Sequence, residues 1–232
     1  MPAATPLRVV LRAVAFGAAT VLPVVVLAVA VRGGSGGLAR LDADVVRAAT
    51  DVTRGSDGLR TVLVVWQEVL QARWVNLVVV PAVCVWAWRR HGLARRALWA
   101  GATVAAGWVL QLAAKGLVRR ARPVVEDAVA HAPGSSFPSG HTTNATVVAV
   151  TLTALVWPLL GRTGRVVVPA VATLVVAATA ADRVLLGVHH PSDVVAGVLL
   201  GAAIAGASSI GYRGRPARPD PDLPPGPTRL AR

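Results

Sequence analysis

The 232-residue chain has one cysteine, one lysine, one tyrosine and two phenylalanines, and only 15 % of its residues are charged. The single thiol, Cys84, lies inside an apolar run, so no internal disulfide framework is available to it. With 54 % hydrophobic residues the composition excludes a disordered or fibrous chain and exceeds that of an ordinary soluble domain. A net charge of +13 would suggest a nucleic-acid partner in a soluble protein. Here the basic residues flank apolar runs, as membrane orientation requires, and no nucleic-acid partner is expected. What is abundant is Ala, Val and Leu, in runs near 20 residues, the length a helix needs to cross about 30 Å of hydrocarbon.

The runs predict spans at about 8 to 31, 60 to 89, 94 to 117, 140 to 160, 165 to 184 and 192 to 212. The fold class expected is all-α, an integral membrane bundle of six transmembrane helices within one domain, residues 1–212. Gln67, Glu68, Gln71 and Arg73 interrupt the second run, so its first part is expected at the interface, with the crossing beginning at Trp74. Leu38, Leu41, Val45, Val46, Ala49 and Val52 recur at helical spacing, with Asp42, Asp44, Arg47 and Asp51 opposite, which predicts an amphipathic helix on the membrane surface. Ala28-Val29-Ala30 after the first run is an A-x-A pattern, but the apolar region is longer than a signal-peptide core and is read as a span. Residues 213–232, rich in Pro and Arg, cannot bury a core and are expected to be disordered.

Basic residues in short loops stay on the cytoplasmic side. With the N-terminus inside, the inner segments hold 13 of the 24 basic residues and two acids, net +11. The outer segments hold the other 11 basic residues and nine acids, net +2. The expected topology is therefore N-in/C-in. Trp86 and Trp88 before Arg89 and Arg90 fit an interfacial anchor.

Charged groups at span ends are costly unless they act, and three clusters fall on the outer face. The first is Lys115, Arg119, Arg120, Arg122 and Pro123; the second is Pro138, Ser139, Gly140 and His141; the third is Asp182, Arg183, His189, His190, Pro191, Ser192 and Asp193. Lys115, Arg122 and Arg183 bring three positive charges suited to a phosphate. Ser139 reads as the N-cap of the fourth span, whose amides and dipole favour an anion, and Gly140 lets a phosphate oxygen approach the backbone. His189 and Asp193 have the pattern of a nucleophile with an orienting carboxylate, Asp193 lying near the start of the sixth span behind Pro191. His190 and His131 have no such partner in sequence. No cluster has metal-ligand spacing.

In order, the chain reads Lys115-x6-Arg122-Pro123, Pro138-Ser139-Gly140-His141 and Arg183-x5-His189-x3-Asp193. This resembles the type 2 phosphatidic acid phosphatase (PAP2) family, which shares its site with the vanadium haloperoxidases. The resemblance implies that His189 attacks phosphorus and forms a phosphohistidine, oriented by Asp193, while His141 protonates the leaving oxygen and then helps water attack. It implies that Lys115, Arg122, Arg183 and the amides around Ser139 and Gly140 hold the phosphoryl oxygens, with no metal or other cofactor. The family's Ser before the third-motif arginine is Asp182 here, which would repel phosphate unless it pairs with Arg183 or turns away.

The function expected is a lipid phosphate or isoprenoid pyrophosphate phosphatase at the outer leaflet of the cell membrane. The alternatives are a phosphotransferase passing the phosphoryl group to a hydroxyl, a haloperoxidase, and a non-catalytic lipid-binding or transport protein.

Overall fold

The computed structural model describes residues 6–124, 130 and 132–213, so His131 and residues 214–232 of the expected tail lie outside the described residues. The described elements are helical: α1 (Pro6–Arg32), α2 (Gly36–Arg54), α3 (Asp57–Val69), α4 (Ala72–Trp74), α5 (Val80–His91), α6 (Ala94–Val118), α7 (Gly140–Val156), α8 (Gly164–Leu185) and α9 (Pro191–Arg213). A π turn, Val75–Val79, joins α4 to α5, and a 3₁₀ turn, Trp157–Leu159, follows α7. Six helical segments among the described residues are long and apolar enough to cross a membrane, and they coincide with the six expected spans. The protein is a multi-pass membrane protein.

The second span is where the polar interruption acts. The Ser56 hydroxyl accepts the Leu59 N–H and starts α3 three residues before the expected boundary. The helix then breaks at Leu70 and Gln71 and resumes at Ala72, just ahead of Trp74. Gly92, in the left-handed region at φ 66°, closes α5.

α7 and α9 form the centre, α1 packs on α9, and α6 and α8 flank α7. Close approach of α7 and α9 comes from a stripe of small buried residues, Gly197, Gly201 and Ala205, one helical turn apart. A Cβ at Gly201 would stand 2.7 Å from Thr146 Cβ and 2.8 Å from the Thr143 carbonyl oxygen. Polar groups inside the bundle find partners across helices: Asn76 Nδ2 donates to Asn144 Oδ1 at 2.8 Å, and Trp99 Nε1 donates to Ser208 Oγ at 2.9 Å.

α2 requires a correction. The amphipathic helix is present, and Leu41, Val45 and Val52 point out of the protein as a surface-lying helix would have them. Asp42, expected on the solvated face with Asp44, Arg47 and Asp51, is instead buried with Val46, Thr50 and Thr53 against α8 and α9. On the helical wheel Asp42 falls inside the apolar arc, between Ala49 and Val46 and away from Asp44, Arg47 and Asp51, so the helical period itself turns it toward the bundle.

Candidate active site

The three clusters converge because each sits at the same end of the bundle. Lys115 is in the last turn of α6, His141 in the first turn of α7, Arg183 in the last turn of α8 and Asp193 in the first turn of α9. α6 ends where Arg119 turns left-handed (φ 50°), which turns the chain into the segment carrying Arg120 and Arg122. That segment is tied to the one before α7 by the Ser136 N–H donating to the Arg120 carbonyl at 2.9 Å.

A cavity of about 740 Å³ opens on this end, lined by Lys115, Arg122, Gly140, His141, Arg183 and His189. Six of the eight expected site residues thus share one cavity. The other two, Ser139 and Asp193, stand directly behind it and are bonded together, the Ser139 N–H donating to the Asp193 carbonyl at 2.9 Å. Gln67, Glu68, Gln71 and Arg119 also line the cavity and had no expected role.

The cations are held in place by carbonyl oxygens. Lys115 Nζ donates to Ser135 O at 2.6 Å, and Arg122 donates to Gly134 O, Val188 O and Pro133 O at 3.1, 2.7 and 2.9 Å. Arg122 Nη1 also lies 3.3 Å from His189 Nε2. Gly140 allows this crowding, because a Cβ there would stand 3.1 Å from Gln111 Nε2 and 3.4 Å from Lys115 Cε.

Ser139 is at the N-cap position of α7, but its hydroxyl does not cap. It pairs with Thr142 Oγ1 at 3.0 Å instead, turned away from the backbone N–H groups of the first turn. Those amides are left without a serine cap at the cavity edge. Asp182 does pair with its neighbour: Arg183 Nε donates to Asp182 Oδ2 at 2.7 Å, and a second guanidinium N–H reaches the same oxygen. Both side chains are buried, and Asp182 is not among the cavity residues.

His189 is 3 % exposed, and its two ring nitrogens face different neighbours. Nε2 is on the Arg122 side, and Nδ1 is 3.6 Å from Asp193 Oδ2, beyond hydrogen-bond length and without another partner. Burial lowers the His189 pKa from 6.5 to about 4, opposed by Asp193 and assisted by the Arg122 charge, so the imidazole is neutral at pH 7. His190 has a partner after all. Asp193 Oδ2 accepts the His190 backbone N–H at 2.9 Å and lies 3.2 Å from His190 Nδ1, so the oxygen that faces His189 is bonded to His190.

Arg120 is the residue whose part in the site was not anticipated. Its Nη1 donates to Asp193 Oδ1 at 2.6 Å and to Ser192 Oγ at 2.7 Å, while Nη2 donates to Asp42 Oδ2 at 2.7 Å. Sequence marked it only as one of four cations in a row; its partner Asp42 is 78 residues away. Among the described residues no group of three His, Cys, Asp or Glu side chains is arranged to hold a metal ion.

Residues 96–216 match the PAP2 superfamily. The chain is 35 % identical over 134 residues to decaprenylphosphoryl-5-phosphoribose phosphatase of Mycobacterium tuberculosis, a match covering 56 % of this chain and 67 % of that protein. It is 38 % identical over 129 residues to the protein of the same name from Mycolicibacterium smegmatis, covering 54 % and 63 %. In structure it is similar to a transmembrane PAP2-type phosphatidylglycerolphosphate phosphatase from Bacillus subtilis, with TM-score 0.72 and 23 % identity over 83 % of this chain and 93 % of that one. Aquifex aeolicus LpxE aligns with TM-score 0.57 and 20 % identity over 75 % of this chain and 95 % of that one.

Proposed function

The chain belongs to the PAP2 superfamily and is a phosphatase of that family, and from that premise we propose that it hydrolyses a phosphate or pyrophosphate carried by a membrane lipid, without a metal, through a phosphohistidine. The observation that carries this reading is one cavity lined by Lys115, Arg122 and Arg183 together with His141 and His189.

In the proposed reaction His189 Nε2 forms a bond to phosphorus as the bond from phosphorus to the lipid oxygen breaks. His141 gives its proton to that oxygen, then takes one from water as the water oxygen attacks phosphorus and the P–N bond breaks. Asp193 stabilises the positive charge that phosphorylation places on the His189 ring. Lys115, Arg122, Arg183 and the first-turn amides of α7 from Gly140 onward meet the phosphoryl oxygens, doing by fixed positive charge what a metal would otherwise do, while the Ser139 N–H is held by the Asp193 carbonyl. The low proton affinity of His189 supports its role, since only the neutral ring can attack.

The lipid chains would remain among the spans while the head group enters the cavity. The curated relatives are named for a phosphate on a decaprenyl-linked sugar, which extends the candidate substrates to polyprenyl-linked sugar phosphates beside isoprenoid pyrophosphates and glycerophospholipid phosphates. The positive-inside bias supports a reading with the N- and C-termini in the cytoplasm and the cavity at the outer leaflet.

The test is phosphate release by the detergent-purified protein, with chelator present, across those three lipid classes. Release at an undiminished rate in chelator, lost by at least about a thousandfold in His189→Ala while the variant still folds, is the expected result. Full activity in His189→Ala would overturn the covalent scheme.

A further inference from the structure

We propose that Asp42, Arg120 and Ser192 form a positioning relay that holds Asp193 and preserves its negative charge for His189, so that α2 is a working part of the site. The proposal rests on the phosphohistidine reading above and extends it to residues outside the three motifs.

Asp193 is wholly buried, and a buried carboxylate must be paired or satisfied by hydrogen bonds. Arg120 supplies the pair, but it is also shared. The same guanidinium donates to Asp193 through Nη1 and to Asp42 through Nη2, so one positive charge stands between two buried carboxylates. Asp42 is in turn satisfied on both oxygens: Oδ1 accepts the Ser192 N–H at 3.0 Å and Oδ2 accepts the Ser192 hydroxyl at 2.5 Å. The result is a closed ring from α2 through Arg120 to the first turn of α9. No atom of Arg120, Asp42 or Ser192 is needed to contact the phosphoryl group.

The charge count explains why Asp42 is there. Arg120 alone against Asp193 would make a neutral pair, and Asp193 would then do little for a developing imidazolium. A second carboxylate on Arg120 leaves the trio with one net negative charge, and Asp193 carries it toward His189. The other charges acting on His189 are Arg122 after α6 and Lys115 on α6, with Arg183 on the same cavity; the acid on that lining, Glu68, has Gln71 and Arg73 as its partners. The trio is therefore what balances those cations when the ring is phosphorylated. It also fixes the carboxylate: with Oδ1 held by Arg120 and Oδ2 by the His190 N–H, the Asp193 plane cannot rotate away from His189 Nδ1.

Asp42→Asn keeps the size and one acceptor, for the Ser192 N–H, but removes the charge and the second acceptor that Arg120 uses. Its kcat is expected to fall about tenfold with KM within about twofold, because the loss is of charge stabilisation in the reaction and not of phosphate binding. In the Arg120→Gln background the same change is expected to cost little further kcat, since the Asp42 charge is coupled to Asp193 through the Arg120 guanidinium. Dioctanoyl phosphatidic acid and farnesyl pyrophosphate are the probes, and thermal melting in detergent verifies folding. Should Asp42→Asn fail to fold, Arg120→Lys decides, because a lysine keeps the net charge of the trio but lacks the planar fork that ties Asp193 to Asp42 and holds the carboxylate plane toward His189. It is expected to show the same kcat-selective loss. Wild-type kcat in folded Asp42→Asn or Arg120→Lys, a loss falling on KM, or additive losses would overturn the relay while leaving the phosphatase reading intact. No release by the wild-type protein from these probes or from a polyprenyl-linked sugar phosphate would overturn both.

Discussion

Asp182 illustrates how a single residue can depart from a motif without displacing the chemistry. A carboxylate beside a phosphate site is unfavourable, yet here it is spent on Arg183, which is itself 2 % exposed and would otherwise be an uncompensated buried charge. Asp182 therefore lowers the positive charge that Arg183 can offer. Asp182→Ser is expected to leave KM equal or lower and to cost about 3 kcal/mol of stability, since a hydroxyl cannot neutralise the guanidinium. Substrate titration and thermal melting of the purified variant measure the two effects; a large rise in KM would show that the carboxylate itself takes part in binding. At this scale Lys115, Arg122, His141, Arg183 and His189 were legible in the sequence because residue type and spacing alone suggest their chemistry. Asp42 and His190 were not. Asp42 falls inside the apolar arc of α2, where the helical period buries it but names no partner for its charge, and the His190 contacts depend on how the chain turns between α8 and α9.

Among the elements, α9 combines two tasks. Its first turn presents Asp193, and its Gly197, Gly201 and Ala205 stripe lets α7 come close enough to bring His141 to the same cavity. The contact has no slack, because the Thr146 side chain and the Thr143 carbonyl already occupy the space beside Gly201. Gly201→Ala is expected to destabilise by about 1–3 kcal/mol through overpacking and to lower kcat as α7 moves away. Gly211→Ala, where a Cβ meets nothing within 4 Å, is the matched change on the same helix and should melt as wild type. An unchanged midpoint in Gly201→Ala would mean that the two helices can part without cost. The six spans were readable because apolar length is a property of the chain itself. The break at Leu70 and Gln71 was readable from four polar residues in an apolar run, whereas the buried side of α2 was not, since Val46 and Leu41 are equally apolar and only one of them meets the bundle.

For the whole molecule the positive-inside asymmetry yields a topological expectation. In a Cys84→Ala background, a cysteine at Val124 should react in intact cells with a membrane-impermeant maleimide, and one at Arg162 only after lysis. Both positions are exposed, so the outcome reports sidedness and not burial; the opposite pattern would turn the cavity to the cytoplasm. Membrane residence, six spans, the order of the three motifs and the phosphate chemistry they suggest were determined by the sequence alone. Each depends on composition, on run length or on spacing along one chain, and none requires knowing which helix neighbours which. The tertiary structure decided what distance in sequence conceals. It brought Asp42 across 150 residues to Ser192, set Arg120 between two carboxylates, bonded Asp193 to His190 and tied Asp182 to Arg183. These are buried polar pairings, whose partners are chosen by how the helices pack, and a buried charge takes whichever counter-group that packing delivers.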